Sequence, residues 1–143
     1  MVIRKNIKKK FALISVYDKN NLSYLCRNLK KYNFNIISTG NTCHKIKKLG
    51  YKCIDISEIT KFKEILKGRV KTLNPKIFGS ILYKRNDLDH IKEFKKLNIP
   101  KIDLVIVNLY PFKKFIKKNN EDKSLDMIDI GGMSLIRASS KNY

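Results

Sequence analysis

Residues 11–16, Phe-Ala-Leu-Ile-Ser-Val, form an apolar run interrupted only by Ser15. A half-exposed strand alternates apolar and polar positions, so a run of this kind suits a strand covered on both faces. Tyr17, Asp18 and Lys19 follow as a polar turn. Over residues 20–31 the apolar positions change to Leu22, Leu25, Cys26 and Leu29, the spacing of one helical face. Residues 34–37 predict a second strand and residues 38–42 a polar loop. Residues 43–49 predict a short helix stopped by Gly50, and residues 52–56 a third strand. Strand, helix, strand, helix, strand in this order predicts an α/β fold around a parallel sheet.

The second half is less regular. Residues 59–66 predict a short, partly helical approach to a polar loop at Gly68–Pro75, and residues 77–83 carry mixed patterning that fits no one element. Residues 87–97 predict a helix with Leu88, Ile91, Phe94 and Lys95 bounding its buried stripe, ended by Ile99-Pro100. Residues 102–109 carry the clearest strand pattern in the chain and run into Asn108, Tyr110 and Pro111. Residues 112–116 predict a helix and residues 117–124 a charged connection. A last helix is expected from about Gly132, with Met133, Ile136 and Ser140 on one face. The Gly131-Gly132 pair allows close backbone approach there.

Composition narrows the class. A chain of 143 residues fits one domain, residues 1–143, with a real core. No apolar run approaches the roughly 18 residues of a membrane span, and the apolar run after the basic N-terminus is too short for a secretory signal. The expected location is cytoplasmic. Cys26, Cys43 and Cys53 form no C-x-x-C pair and read as reduced thiols. His44 and His90 belong to no metal-ligand pattern. The net charge of +20 permits nucleic-acid binding, but the lysines are spread over the whole chain and not gathered in a stripe.

The candidate chemistry lies in the polar loops. Gly68-Arg69-Val70-Lys71-Thr72-Leu73-Asn74-Pro75 combines a glycine, a guanidinium, an ammonium and a hydroxyl, a set suited to a small anion and equally to a solvated basic loop. The loops after the first two strands fall at strand carboxyl ends, where α/β sheets bind ligands. The Ser38–Thr42 loop opens a helix and offers N–H groups to phosphate; helix capping by Thr39 or Asn41 accounts for it equally well.

Six stretches taken together resemble one family: Ile14-Ser15-Val16-x-Asp18-Lys19, Ser38-Thr39-Gly40-x-Thr42, Gly68-Arg69-Val70-Lys71-Thr72-Leu73-x-Pro75-Lys76, Val107-Asn108-Leu109-Tyr110-Pro111-Phe112, Ile128-Asp129-Ile130-Gly131-Gly132 and Arg137-Ala138-x-x-Lys141-Asn142. Their order and spacing are similar to the N-terminal, IMP cyclohydrolase domain of the bifunctional purine-biosynthesis enzyme. The resemblance implies a methylglyoxal-synthase-like three-layer α/β/α sandwich with a mainly parallel sheet. It also implies closure of formamidoimidazole carboxamide ribonucleotide to IMP with loss of water, and no metal or organic cofactor. The implied partners are the purine nucleotide substrate and IMP, with a second copy of the chain or a separate transformylase as protein partners. The family's transformylase domain is absent from these residues, so the chain reads as a standalone cyclohydrolase, a split-gene fragment or an excised domain.

By resemblance, Lys141 is the proton donor and acceptor, Asp129 orients the carboxamide, and Lys71 and Tyr110 support the formyl oxygen. Lys71, Asp129 and Lys141 are expected to share one cleft. Tyr17, Asp18, Lys19, Thr39, Gly40, Asn41 and Thr42 match the phosphate loops. Arg69, Val70, Thr72, Val107, Asn108, Ile130 and Gly131 match positions lining the nucleotide. The chain departs from the family pattern at Tyr17, usually serine, at Asn41, usually glycine, and at Asn74, Phe78 and Tyr143, often histidines. Three other readings stand beside this one: an inactive nucleotide-binding remnant, a basic RNA-binding module, and a methylglyoxal synthase, whose aspartate-bearing loop is replaced here by Arg69–Pro75.

Overall fold

The computed structural model describes residues 9–113 and 121–142. Four strands, β1 (Lys10–Val16), β2 (Phe34–Ser38), β3 (Ile54–Asp55) and β4 (Leu104–Asn108), make one sheet in the order β3-β2-β1-β4, every pairing parallel. Helices α1 (Leu22–Lys31) and α2 (Gly40–Lys48) cover one face. Helices α3 (Ile56–Thr60), α4 (Pro75–Leu82) and α7 (Ile130–Lys141) cover the other, with α5 (Leu88–Leu97) outside α4 and α6 (Glu121–Asp126) leading into α7.

The continuous apolar run of β1 explains the three layers. Ala12 and Ile14 point to one face and pack with Leu22, Cys26, Leu29, Cys43 and Ile46. Leu13 points to the other and packs with Ile37, Ile77, Ile81, Leu135 and Ala138. Each fully buried Leu or Ile contributes about 1.5–3 kcal/mol, so both faces of β1 are needed to hold the two helical layers. The three cysteines are free and buried, and burial raises the thiols of Cys26 and Cys53 above their ordinary range. Among the described residues no helix is long and apolar enough to cross a membrane.

Several expected boundaries move. The third strand stops at Asp55 because Asp55 and Glu58 form a reciprocal capping box that starts α3 at Ile56. Helix α2 begins at Gly40, three residues before the expected start at Cys43. The unassigned residues 77–83 lie mostly in α4, capped by the Asn74 side chain with Pro75 in its first turn. Strand β4 is shorter than expected. Asp103 bonds Phe11 through both its N–H and its carboxylate, so the regular ladder starts at Leu104.

The predicted buried stripe of α5 is a correction. No α5 residue is buried and Leu88 is 73% exposed, because α5 rests on α4 and not on the sheet. Its contacts are local: Phe94 stacks on Tyr83, and Leu97 comes within 3.3 Å of where a Gly79 Cβ would stand. Helix α7 starts at Ile130, two residues early, because Asp129 caps it, and Met133 and Ile136 lie on its exposed side. Phe112 and Lys113 are helical. The rest of the expected 112–116 helix, most of the 117–124 connection and Tyr143 lie outside the described residues.

Candidate active site

The carboxyl ends of β1, β2 and β4 and the N-termini of α2 and α7 open onto one cleft of about 1090 Å³. A second groove of about 690 Å³ lies between α1 and β4 and is lined mainly by apolar side chains such as Leu22, Leu25 and Ile106. The first carries the converging charged groups and is the candidate site.

The Gly68–Pro75 stretch is anchored by a tight turn. Ile65 and Val70 exchange backbone hydrogen bonds at 3.2 and 3.4 Å, and between them Leu66, Lys67 and Gly68 all take left-handed backbone, with φ of 53°, 53° and 87°. Non-glycine residues in this region store strain that the surrounding structure must hold. The turn lets Lys71 fold back across Gly68: a Cβ at Gly68 would lie 2.5 Å from Lys71 Cε and 2.8 Å from Nζ. The Lys71 ammonium ends 3.1 Å from Glu64 Oε2. Arg69 pairs with Asp126 at the end of α6.

At the next wall, Thr39 is the N-cap of α2 and makes no side-chain capping bond. The first intrahelical bonds reach Thr39 O from Thr42 N and Cys43 N. The N–H groups of Gly40 and Asn41 are therefore orphan donors at the positive end of the helix dipole. Buried Thr42 is committed elsewhere, its hydroxyl donating to Val16 O at 3.2 Å. That bond ties α2 to the end of β1.

Asn108, the last residue of β4, holds the loop after β1. Its Oδ1 accepts the N–H groups of Tyr17 and Asp18 at 2.7 and 3.0 Å, and its Nδ2 donates to Asp18 O at 2.9 Å. Lys19 turns back to donate to Tyr17 O at 2.9 Å. Tyr17, so held, meets Tyr110 edge to face.

The last wall is the start of α7. Asp129 Oδ1 accepts the Gly132 N–H at 2.7 Å. The carboxylate fills the space a Gly132 side chain would need: a Cβ there would lie 2.6 Å from Asp129 Oδ2 and 2.9 Å from Leu109 Cδ2. Gly131 sits against buried Thr72, with only 3.0 Å from its missing Cβ to Thr72 Oγ1. The two glycines thus let the loop before α7 close on the Gly68–Pro75 loop.

Of the residues singled out from the sequence, Tyr17, Lys19, Thr39, Asn41, Thr42, Arg69, Lys71, Thr72, Asn108, Tyr110, Asp129, Ile130 and Gly131 line this cleft. Gly40 lies at its edge, 3.8 Å from its missing Cβ to Lys71 Nζ. Val70 serves the turn through its bridge to Ile65. Asp18 and Val107 line the groove beside α1 instead. Lys141 is a correction: it does not share the cleft of its own chain with Lys71 and Asp129. A helix of 12 residues spans about 18 Å, so Lys141 stands at the opposite end of α7 from Asp129. The neighbouring Asn142 fixes that end by donating to Ile81 O and Tyr83 O at 2.6 and 3.0 Å.

Glu64, Lys67 and Asp126 also belong to this region and were not singled out from the sequence. Their signal was weak. Glu64 is seven positions from Lys71 in irregular backbone, and Asp126 is 57 positions from Arg69, so no periodicity links either pair. Among the described residues no three His, Cys, Asp or Glu side chains gather as a metal-binding group.

A family model described as an MGS-like domain matches residues 21–134. The chain is 53% identical over 136 residues to the bifunctional purine biosynthesis protein PurH of Lactobacillus acidophilus, and 49% identical over 136 residues to that of Acetivibrio thermocellus. Each match covers 94% of this chain and 26% of the relative, so the chain spans about a quarter of the length of these curated relatives. A crystal structure of ForH superimposes with a TM-score of 0.73 at 27% identity, over 94% of this chain and 70% of that one.

Proposed function

The chain belongs to the MGS-like domain family, and from that premise we propose that it acts in purine biosynthesis as an IMP cyclohydrolase. It closes the ring of 5-formamidoimidazole-4-carboxamide ribonucleotide and releases water. The observation that carries this reading is the convergence on one cleft of an α2 N-terminus with orphan donors, the Arg69–Thr72 loop, Tyr110 and Asp129. The curated relatives are named as bifunctional purine biosynthesis proteins, which supports the pathway.

In the reaction the carboxamide nitrogen forms a bond to the formyl carbon as the C=O π bond opens, and one proton passes from that nitrogen to the formyl oxygen, which becomes a hydroxyl. That hydroxyl then leaves as water, taking one proton, while the ring nitrogen gives one up. A carboxamide nitrogen is a feeble nucleophile, so orientation and charge stabilisation carry most of the barrier reduction. Asp129 suits the orienting role: one oxygen is fixed by Gly132 N–H, which holds the carboxylate in place. Tyr110 suits the developing oxygen, as a phenol proton donor, and Lys71, whose ammonium lies beside the first turn of α2, suits the phosphate. The α2 N-terminus and Thr39 suit the phosphate, whose binding energy positions the reacting end.

The test is the ultraviolet change on adding the formylated ribonucleotide to the purified chain, with Lys71→Ala and Asp129→Asn alongside. Turnover by the wild type that falls at least tenfold in both variants supports the reading; no turnover by the wild type, with IMP unbound, overturns it. A second reading, a domain that binds IMP without closing the ring, is favoured by the position of Lys141 at the far end of α7. IMP binding without turnover selects it.

A further inference from the structure

The Glu64 carboxylate lies against the wall that binds phosphate in the reading above. Its Oε2 is 3.1 Å from Lys71 Nζ, 3.5 Å from the position of a Gly40 Cβ and 3.6 Å from that of a Gly68 Cβ. Gly40 is the first residue of α2, next to the orphan N–H groups, and Lys71 Nζ is 3.8 Å from that same Cβ position. A carboxylate and an ammonium thus meet at the mouth of an anion site, in space that two glycines leave open. The Glu64 side chain is half exposed, so it is free to swing outward.

We propose that Glu64 is an affinity-determining residue that acts as a built-in anion. It occupies Lys71 beside the first turn of α2 until the phosphate of a nucleoside monophosphate displaces it. The inference rests on the phosphate end of the function proposed above and adds a competitor to it. Its physical basis is charge. A dianionic phosphate gains Lys71 and the α2 donors together, whereas a singly charged carboxylate in irregular backbone gains mainly Lys71. Glu64 therefore yields to a phosphate ester and resists weaker, singly charged anions. An uncharged nucleoside has nothing to exchange with it.

The experiment compares the full chain with Glu64→Gln, which keeps side-chain size and removes the charge. Calorimetric titration uses IMP, inosine and inorganic phosphate as probes, at one fixed ionic strength. Glu64→Gln is expected to bind IMP and inorganic phosphate about threefold to tenfold more tightly, the scale of one partly screened ion pair. Inosine affinity is expected to stay level. Equal or weaker phosphate affinity in Glu64→Gln, with IMP still bound by the wild type, overturns this inference alone. IMP binding to neither protein overturns it together with the proposed function. A circular-dichroism melt of both proteins separates a folding defect from a change in affinity. A lower Tm with unchanged or weaker phosphate binding means that Glu64 only braces the turn, and that result also counts against the proposal.

Discussion

The ring of Tyr17 stands edge-on to the ring of Tyr110, with centroids 5.2 Å apart and planes at 85°. Tyr17 occupies a position where the family resemblance leads one to expect a small serine, so the phenol adds a contact to the candidate proton donor. An edge-to-face pair contributes about 0.5–1.5 kcal/mol beyond area burial, less where both rings are partly exposed, as here. Tyr17→Phe is expected to keep the pair and the turnover. Tyr17→Ala is expected to cost no more than about 1 kcal/mol of stability in urea unfolding while lowering kcat several-fold, because Tyr110 loses its orientation. Equal kcat in the two variants would separate the ring contact from the chemistry.

Gly68 combines two constraints. Its φ is 87°, and the Lys71 side chain runs through the space of its missing Cβ. In Gly68→Ala the lysine end is flexible and moves aside, so the fold is expected to lose only about 1–2 kcal/mol, mostly from the left-handed backbone. The displaced ammonium is expected to weaken IMP binding more than it lowers kcat. A fall in kcat with affinity unchanged would place Lys71 at the reaction step and not at the phosphate.

The start of α5 gives a pH test away from the cleft. Asp87 caps the helix, its Oδ1 accepting the N–H groups of Asp89 and His90 at 3.0 and 3.1 Å. The His90 N–H bond leads the causes that hold the Asp87 carboxyl below its ordinary value of 3.8. A folded value below the unfolded one stabilises the native chain above pH 3.8, and that stability is lost as pH falls through the lowered value. Asp87→Ala is therefore expected to lower Tm at pH 7, by an amount that shrinks as pH falls below 3.8. A constant Tm difference across that range would mean that the cap works through shape alone.

The elements legible in the sequence are those with one dominant pattern. β1, α1 and β2 follow from an apolar run and a helical period, and Gly50 ends α2 with φ 82°. α4 was obscured because Gly79 and Ser80 interrupt its apolar pattern, although Ile77 and Ile81 are spaced as one helical face. The Gly79 gap is filled by Leu97 from α5, a tertiary contact that no local pattern encodes. In the cleft, Asp129 was readable as an acid before a helix. Glu64 and Asp126 were not, because their roles arise only when the turn at residues 65–70 brings distant charges together. The expected shared cleft for Lys141 and Asp129 came from the family resemblance, whereas the predicted helix between them, at about 1.5 Å per residue, already sets them apart.

Asn108 ends β4, an edge strand of the sheet among the described residues, and grips the Tyr17–Asp18 backbone through both its amide oxygen and its amide nitrogen. The grip makes the rim of the sheet and the mouth of the cleft one mechanical piece. The ladder of β4 along β1 and this amide together join the rim of the sheet to the phenol that touches Tyr110. Whatever neighbours this rim is therefore joined to the wall of the cleft without entering it.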